Sequence, residues 1–346
     1  MKRTKKMHGW LMGGGAILCL LFTVCAAVSV GSADVTGFQV WKVLIAKLGW
    51  GGAEGPDEST VAIVWELRLP RVLLAALVGA MLAAAGTVYQ GVLRNPLADP
   101  FILGVSSGSA MGAALFLLTG LETTVSQVWG MPVFAFFGAI LAFSLVIRLG
   151  STKAGMLPES LILSGVVVQA FFAAALSFIL SLVPQEMPRI HLWMLGSFAL
   201  RQWEHVEVAF PLMLVGLAVC CFFARELNLF SLGDRPALHL GVRVRAVRLI
   251  LLVCASLLTA AAVALAGMIG FVGLVVPHAV RMLIGGDHRV LLPASALVGG
   301  VFLVWADVLA RVILNPAELP IGVITALAGA PFFAGILRKH LRRYGG

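Results

Sequence analysis

A carboxylate and an arginine stand four residues apart, at Asp307 and Arg311, inside a long apolar stretch of the sequence. A carboxylate in apolar surroundings can take up and release a proton, which suits a proton relay. Opposite charges at this spacing can also pair with each other on one face of a helix. The sequence therefore leaves two roles open for Asp307: proton coupling, or a structural ion pair.

No other group of residues predicts catalysis or metal binding. The five cysteines all lie in apolar stretches and lack the Cys-x-x-Cys spacing of zinc and redox sites, so we interpret them as packing residues. His278 has no second ligand at helical spacing. The phosphate-binding pattern Gly-x-x-x-x-Gly-Lys-Ser/Thr does not occur in the sequence, so the chain does not itself supply a P-loop ATPase. We predict no catalytic residue, no metal site and no cofactor in this chain.

The composition predicts the environment in which these residues lie. Of the 346 residues, 60% are hydrophobic and only 12% are charged, about half the charged fraction of a soluble domain. Continuous stretches of about 20 apolar residues, long enough to cross a hydrocarbon core of ~30 Å, recur along the chain. They lie at about 10–30, 72–93, 98–118, 128–147, 158–182, 203–224, 246–268, 269–284, 290–313 and 320–337. We predict an all-α, polytopic membrane protein of about ten transmembrane helices that forms one domain over residues 1–346.

The basic residues predict the orientation of the chain. The net charge is +9, and most of the 25 Lys and Arg residues fall on the same side as the N-terminus when ten spans are drawn. This positive-inside pattern predicts cytoplasmic N- and C-termini and implies no nucleic-acid partner. The start, MKRTKKMHGW, and its apolar run resemble a signal peptide, but about 20 apolar residues is long for one. We therefore expect the first span to be retained.

The cytoplasmic turn between the second and third spans has the polar sequence LRNPLADP. Pro96 and Pro100 cannot continue a helix from the residues before them, and Asn95 and Asp99 favour turns. The small residues of GVSSGSAMGAA follow, and small residues allow close helix packing. Two interpretations fit: a tight inner loop, or irregular backbone that lines a water-filled path at membrane depth.

The cytoplasmic loop at 225–246 contains LNLFSLGDRPALHLGV, which predicts two short helices. The first runs from Leu227 to Leu232; Asp234 then caps a second, from Arg235 to Leu240, which Gly241 ends. The apolar residues on these helices are Leu227, Leu229, Phe230, Leu238 and Leu240. They predict either a surface that a partner protein buries or a helix that lies on lipid.

Three arginines are predicted at the outer side of the membrane. Arg68 and Arg71 precede the second span, and Arg311 lies near the outer end of the ninth. Interfacial anchoring explains each of them singly. Together they also fit the docking of an acidic partner protein.

The fifth span carries a stripe of small and weakly polar residues. Gly165, Gln169, Ala173 and Ser177 follow at intervals of four, which places them on one helix face. Such a stripe packs against a neighbouring helix or lines a pore. If it packs, Gln169 needs a hydrogen-bond partner.

Taken together, these stretches resemble the FecCD-type permeases of binding-protein-dependent ABC importers, which move iron–siderophores, haem or cobalamin. The resemblance covers about 65–335 and rests on RLPRVLLAALVGAMLAAAGTVYQGVLRNPLADPFILGVSSGSA, HLWMLGSF, LNLFSLGDRPALHLGV, GMIGFVGLVVPHAVRMLIGGDHRVLLP and ADVLARVILNPAELPIGVITALAGAPFF. It implies the type II ABC importer permease fold, with ten helices per chain, in a bacterial cytoplasmic (inner) membrane. No enzymatic activity is implied for the permease itself.

The resemblance also implies partners. These are a second copy of the chain or a close paralogue, two cytoplasmic ATPase subunits that carry ATP and Mg, an extracytoplasmic substrate-binding protein, and membrane lipid. The pathway would lie at the interface between the two permease copies. It makes Arg68, Arg71 and Arg311 docking residues for the binding protein, and it makes 225–246, with Asp234 and Gly241, the coupling element for the ATPase. Asn95, Pro96 and Leu97 match the loop that closes the cytoplasmic exit.

The sequence departs from the family pattern at one point. Before the fifth span, cobalamin permeases carry Thr or Ser in the inner loop, whereas this chain has Pro158 and Glu159. The second half of the gate therefore differs, which disfavours cobalamin. An iron–siderophore is favoured as the substrate on its frequency in the family more than on any residue, with haem or cobalamin as the alternatives. The alternatives to an ABC permease are a proton-coupled secondary transporter that uses Asp307 and a membrane scaffold without transport.

Overall fold

The computed structural model describes Gly15, 18–31, 35–47, Gly49, 56–121, 128–152 and 155–344, with side chains to residue 335 except that of Thr152. The start of the predicted first span, at 10–14, lies outside the described residues, as does the N-terminus. In chain order the helices are α1 (Leu18–Ser29), α2 (Gly37–Lys47), α3 (Glu58–Val61), α4 (Leu69–Val92), α5 (Val105–Thr119), α6 (Gly130–Gly150), α7 (Pro158–Leu182), α8 (Met187–Met194), α9 (Trp203–Phe222), α10 (Ala224–Phe230), α11 (Asp234–His239), α12 (Val244–Ala266), α13 (Val272–Ile284), α14 (His288–Val312) and α15 (Ile321–Tyr344).

Short irregular segments complete these helices. A π-helical segment, Ala62–Arg68, joins α3 to α4, so Glu58–Val92 forms one continuous helical unit. A 3-10 turn, Pro184–Glu186, precedes α8. Between α6 and α7, the strands β1 (Ser151–Thr152) and β2 (Gly155–Met156) pair antiparallel. This small hairpin was not predicted from the sequence.

The apolar helices correspond to the predicted spans. Within the residues that the structure describes, six helical units are long and apolar enough to cross a membrane, namely Glu58–Val92, α6, α7, α9, α12 and α14. Shorter apolar helices, α1, α5, α13 and the first part of α15, account for the other four spans. The third span starts later than the predicted residue 98, because residues 93–104 form a loop that ends at Gly104, whose φ is 81°. The prediction of an all-α, polytopic membrane protein is confirmed.

Helix α4 lies at the centre of the molecule, packed against α9, α12, α13 and α14. Its close neighbours require glycine: a Cβ on Gly79 would overlap the carbonyl of Gly299 on α14, and one on Gly86 would overlap that of Gly273 on α13. Small residues bring helix backbones together in this way in membranes. In contrast, most of α7 and α9 is exposed on the outside of the single chain. Only 28% and 22% of the residues in their most apolar stretches are buried. These two helices therefore have surface left for lipid or for another chain.

Candidate functional site

The predicted outer end of the bundle contains a buried cluster of charges. The Asp307 carboxylate is 2% exposed and pairs with Arg311 on its own helix, with 3.1 Å between Oδ2 and Nε. It also pairs with Arg71 on α4, with 2.8 Å between Oδ1 and Nη2. The ion pair that the structural interpretation of Asp307 predicted is therefore present. Sequence reasoning missed the second partner, because Arg71 lies 236 positions away in the chain.

The arginines of this cluster also hold the end of α1. Arg68 donates from Nη1 to the carbonyl of Val28 at 3.0 Å, and Arg311 donates to the carbonyls of Val30 and Ala27 at 2.9 and 3.3 Å. The last carbonyls of a helix have no partner within it, so these bonds satisfy groups that would otherwise be unpaired. Arg68 and Arg311 are each only 7% exposed. The three arginines thus meet at one end of the molecule, but their guanidinium groups bind Asp307 and the carbonyls at the end of α1 within the chain.

Arg71 has one further partner that is accessible from outside. Its Nη1 and Nη2 donate to the two carboxylate oxygens of Glu318 at 2.9 and 3.0 Å. Glu318 lies in the loop between α14 and α15, and its side chain is 42% exposed. Of the two carboxylates that hold Arg71, Asp307 is enclosed and Glu318 is open to solvent. The docking role predicted for Arg68, Arg71 and Arg311 stays a prediction.

The cytoplasmic loop forms two short helices, as predicted, but with different bounds and a different cap. The helices are α10 and α11, and Gly233, at φ 109°, stands at the start of α11. The predicted capping by Asp234 is wrong, because its carboxylate instead bonds Arg248 on α12, with 2.7 Å between Oδ1 and Nη2. Gly241, at φ 83°, follows α11, and the amide of Val242 returns to the carbonyl of Ala237. The predicted glycine stop is therefore confirmed.

The apolar residues of these two helices divide into two groups. Leu227 and Phe230 are fully buried against the rest of the chain, because positions three apart on a helix lie on one face. They do not project outward as the sequence had predicted. Leu238 and Leu240 are 57% and 58% exposed, whereas Leu229 is partly buried. The exposed apolar surface is therefore carried by α11, by the residue after it, and by Leu232 in the turn between α10 and α11, which is 62% exposed.

The inner loop at 93–104 is held by its own hydrogen bonds. Arg94 adopts a φ of 51°, and the amide of Asn95 returns to the carbonyl of Gln90, which ends α4. Asn95 Oδ1 accepts from the amide of Leu97 at 2.9 Å, and Leu97 is 45% exposed. Asp99 accepts from the amide of Phe101 at 2.8 Å, and burial raises the pKa of this carboxyl to about 6. The loop is thus an ordered element with one exposed apolar residue at its tip, while Pro96 is exposed beside it.

The second predicted half of the gate lies at the start of α7. Pro158 occupies the first turn of this helix and is buried, whereas Glu159 is exposed. The two residues follow the hairpin formed by β1 and β2. Pro at the first turn is favourable because the amide it lacks would have had no helical partner.

The polar stripe on α7 has two different environments. Gly165 packs against the backbone of Ile102, and Gln169 donates from Nε2 to the carbonyl of Phe101 at 2.9 Å. This bond supplies the partner that the packing interpretation required for Gln169. Ala173 and Ser177, further along the same face, are exposed. Gly165 and Gln169 therefore hold the inner loop against α7, whereas Ala173 and Ser177 contact no other part of the chain closely enough to be buried.

Comparisons with known proteins agree with this architecture. The model of the FecCD transport family matches residues 19–339. The chain is 46% identical to the cobalamin import system permease protein BtuC of Halobacterium salinarum, over 88% of this chain and 81% of that protein. It is 43% identical to the Fe(3+) dicitrate transport system permease protein FecD of Escherichia coli K12, over 80% and 85% of the two chains.

A solved structure has the same fold. It is a metal-chelate type ABC transporter in an inward-facing conformation, with a TM-score of 0.82 and 32% sequence identity, over 95% of this chain and 99% of the other. The family match covers nearly the whole chain, including the inner loop, the stripe on α7 and the cytoplasmic helices α10 and α11. The chain therefore belongs to the FecCD transport family and is a membrane-spanning permease subunit of an ABC importer, without enzymatic activity of its own.

Proposed function

We propose that this permease imports iron–siderophore complexes through a pathway between two copies of itself, driven by two cytoplasmic ATPase subunits and supplied by an extracytoplasmic binding protein. Its membrane is the bacterial cytoplasmic (inner) membrane, with both termini in the cytoplasm, as the positive-inside pattern predicts. ATP and Mg belong to the ATPase subunits and not to this chain. The observation that carries the proposal is the apolar surface that α11 and Leu240 expose on the cytoplasmic side.

The coupling surface for the ATPase consists of Leu238 and Leu240 together with the partly buried Leu229. Leu232, Leu238 and Leu240 are each more than half exposed on this short cytoplasmic segment, which favours burial by a partner protein. Leu227 and Phe230 anchor the same segment in the permease, so movement of a bound ATPase would be transferred to the helical bundle. The alternative, a helix that lies on lipid, requires no ATPase, so it predicts that the permease does not bind one.

The pathway is supported by the open face of α7. Ala173 and Ser177 are exposed in the single chain, on a helix with most of its surface uncovered. A second copy, or a close paralogue, placed against this face would enclose a path lined by small and weakly polar residues. Leu97, exposed at the tip of the inner loop, would then contribute to the cytoplasmic gate together with Asn95 and Pro96, and Glu159 would stand at the second half.

Docking of the binding protein is assigned to the outer arginine cluster. Arg71 is the member that an acidic partner reaches most directly, because its exposed partner Glu318 can be exchanged for a carboxylate of the binding protein. Arg68 and Arg311 would hold the site in position through their bonds to the end of α1. Complementary charge of this kind mainly sets the encounter rate and the register of docking.

The identity of the substrate rests on the family and on one local difference. Relatives named for cobalamin and for Fe(3+) dicitrate import are 46% and 43% identical to this chain, so overall identity does not separate the two ligands. Pro158 and Glu159 replace the Thr or Ser that cobalamin permeases carry before the fifth span, which favours an iron chelate. Cobalamin is kept as the second candidate because of the relative that is named for it.

The test is uptake by the reconstituted transporter. The permease is placed in proteoliposomes with its cognate ATPase and binding protein, and uptake of a radiolabelled ferric siderophore, haem and cobalamin is measured in parallel. The proposal expects uptake that requires ATP, the ATPase and the binding protein, and that is greatest for the ferric siderophore. Uptake of cobalamin alone would show that the substrate is cobalamin and not a ferric siderophore, while ATP-driven import with a binding protein would still hold. Uptake driven by a proton gradient without ATP would contradict the proposal and favour a secondary transporter.

A further inference from the structure

We propose that Asp234 connects α11 mechanically to both halves of the cytoplasmic gate, so that movement of the coupling surface reaches the two gate segments at the same time. This inference rests on the proposed function, because it assumes an ATPase seated on α11. It assigns to Asp234 a positioning role that differs from contact with the ATPase. Its carboxylate faces two arginines of the permease itself.

The first connection leads to the start of α7. Asp234 Oδ1 lies 2.7 Å from Nη2 of Arg248, whose side chain is only 3% exposed. The other terminal nitrogen of Arg248 donates to the carbonyl of Met156 at 2.6 Å. Met156 belongs to β2, two residues before Pro158 and Glu159, the second half of the gate. One guanidinium therefore links the carboxylate of α11 to the segment that leads into α7.

The same arginine also contacts the other cytoplasmic helix. The guanidinium of Arg248 lies over the ring of Phe230 on α10, 5.4 Å from its centroid. Phe230 is fully buried. Arg248 is thus held by α10, α11 and β2 together, and a shift of α10 and α11 cannot leave it in place without breaking a charge-assisted hydrogen bond, which is among the stronger bonds in proteins.

The second connection leads to the inner loop. Nη2 of Arg94 lies 3.7 Å from the same carboxylate oxygen of Asp234. Arg94 directly precedes Asn95, Pro96 and Leu97, the first half of the gate. Its guanidinium also lies beside Gly233, the residue before Asp234, where a Cβ would come within 3.6 Å of Nη1. The loop and the start of α11 are therefore adjacent at this point.

The backbone of Arg94 supports a role for its side chain. The residue stands at the position after the end of α4 where the chain turns with a positive φ, here 51°, and the amide of Asn95 bonds back to Gln90. Glycine is the usual residue at this position, because a side chain makes the left-handed conformation unfavourable. An arginine in a conformation that suits glycine is consistent with a role for its guanidinium beside Asp234.

The connection is tested by separating coupling from assembly. In proteoliposomes with the ATPase and binding protein, Asp234→Asn removes the charge and keeps the size of the side chain. We expect the ATPase to co-purify with this variant, because the exposed Leu238 and Leu240 are unchanged, while substrate imported per ATP falls at least tenfold. Asp234→Glu, which keeps the charge, should restore part of the coupling. Glu186→Gln is the matched control, because Glu186 is also an ion-paired carboxylate, 26% exposed against 25% for Asp234, and lies in a different loop.

A second variant covers the case in which Asp234→Asn impairs folding. Arg94→Gly removes the guanidinium at a position whose backbone conformation suits glycine, so the permease should fold at least as well as wild type. We expect this variant to assemble with the ATPase and to transport with a lowered yield per ATP. A wild-type yield per ATP in Arg94→Gly or in Asp234→Asn would overturn the connection. Absence of ATP-driven uptake in the wild-type complex would instead contradict the proposed function itself.

Discussion

Arg71 on α4 and Asp307 on α14 form an ion pair with 2.8 Å between Nη2 and Oδ1, across 236 positions of sequence. Because Arg311 pairs with the other carboxylate oxygen and also holds the end of α1, one buried carboxylate joins three helices. The pairing gives Asp307 a structural role. It also leaves the exposed Glu318 as the solvent-accessible partner of Arg71.

Removal of the buried charge should destabilise the permease. Asp307→Asn leaves Arg71 and Arg311 without their common counter-ion, and breaking a buried ion pair in this way costs roughly 3–5 kcal/mol. We expect a clear fall in the Tm of the detergent-solubilised protein. Glu318→Gln, the control, breaks an exposed pair and should cost less than about 1 kcal/mol. An Asp307→Asn variant as stable as Glu318→Gln would contradict the structural role.

The docking proposal predicts a gain from a single substitution. Glu318→Gln leaves Arg71 paired to Asp307 alone. A carboxylate of the binding protein then no longer competes with the Glu318 carboxylate for Arg71. We expect the association rate of the binding protein with the complex to rise a few-fold, with a larger effect at low salt where screening is weak. Glu186→Gln removes the same charge elsewhere in the chain and should leave the rate unchanged. A slower association for Glu318→Gln would assign Glu318 itself to the docking contact.

The pKa of Asp99, raised by burial from 3.8 to about 6, predicts a pH-dependent stability. The charged carboxylate is disfavoured in the folded loop, so its cost is absent below pH 3.8, grows as the pH rises through 6, and is complete above it. Asp99→Asn keeps an oxygen to accept from Phe101 and removes the charge. We expect it to stabilise the protein by up to about 3 kcal/mol at pH 8, since one pKa unit corresponds to about 1.4 kcal/mol. The gain in Tm should be smaller at pH 5; an equal gain at both pH values would contradict the assignment.

The division of the cytoplasmic leucines predicts two different failures. Leu238→Asp changes a residue that is 57% exposed, so the permease should stay folded and lose co-purification of the ATPase. Leu227→Asp places a charge at a fully buried position and should destabilise the permease itself. Thermal stability and ATPase retention are measured on both variants. Normal ATPase retention by Leu238→Asp would favour a segment that lies on lipid.

The long spans could be predicted from the sequence because the thickness of the bilayer fixes the length of an apolar helix, whereas α5 and α13 are shorter than that length. The glycine that ends α11 could be predicted for a similarly local reason, since it needs a positive φ. In contrast, the partners of charged residues depend on which helices become neighbours. Asp234 fits the sequence pattern of a helix cap, yet it bonds Arg248, and nothing local distinguishes Arg248 from the exposed Arg243 and Arg245 nearby.

The burial of Leu227 and Phe230 escaped prediction for the same reason. The pattern of apolar residues gives the faces of α10, but it does not tell which face turns toward α4 and α14. The partner of Gln169 was also unpredictable, because it is a backbone carbonyl in the inner loop. Sequence reasoning thus found most of the segments at the site, and the structure supplied the contacts between them.

In the proposed importer, the inner loops of two permease copies meet at the cytoplasmic exit and separate when the ATPase acts. Crosslinking of Leu97→Cys, at an exposed position of that loop and in a background without the five native cysteines, tests this arrangement. With a short bifunctional thiol reagent, we predict a crosslinked permease dimer in the resting complex and a decrease when nucleotide opens the inner side. The cysteine-free background should give no dimer. Failure of Leu97→Cys to crosslink in any nucleotide state would contradict this arrangement, because the loop would then lie away from the exit.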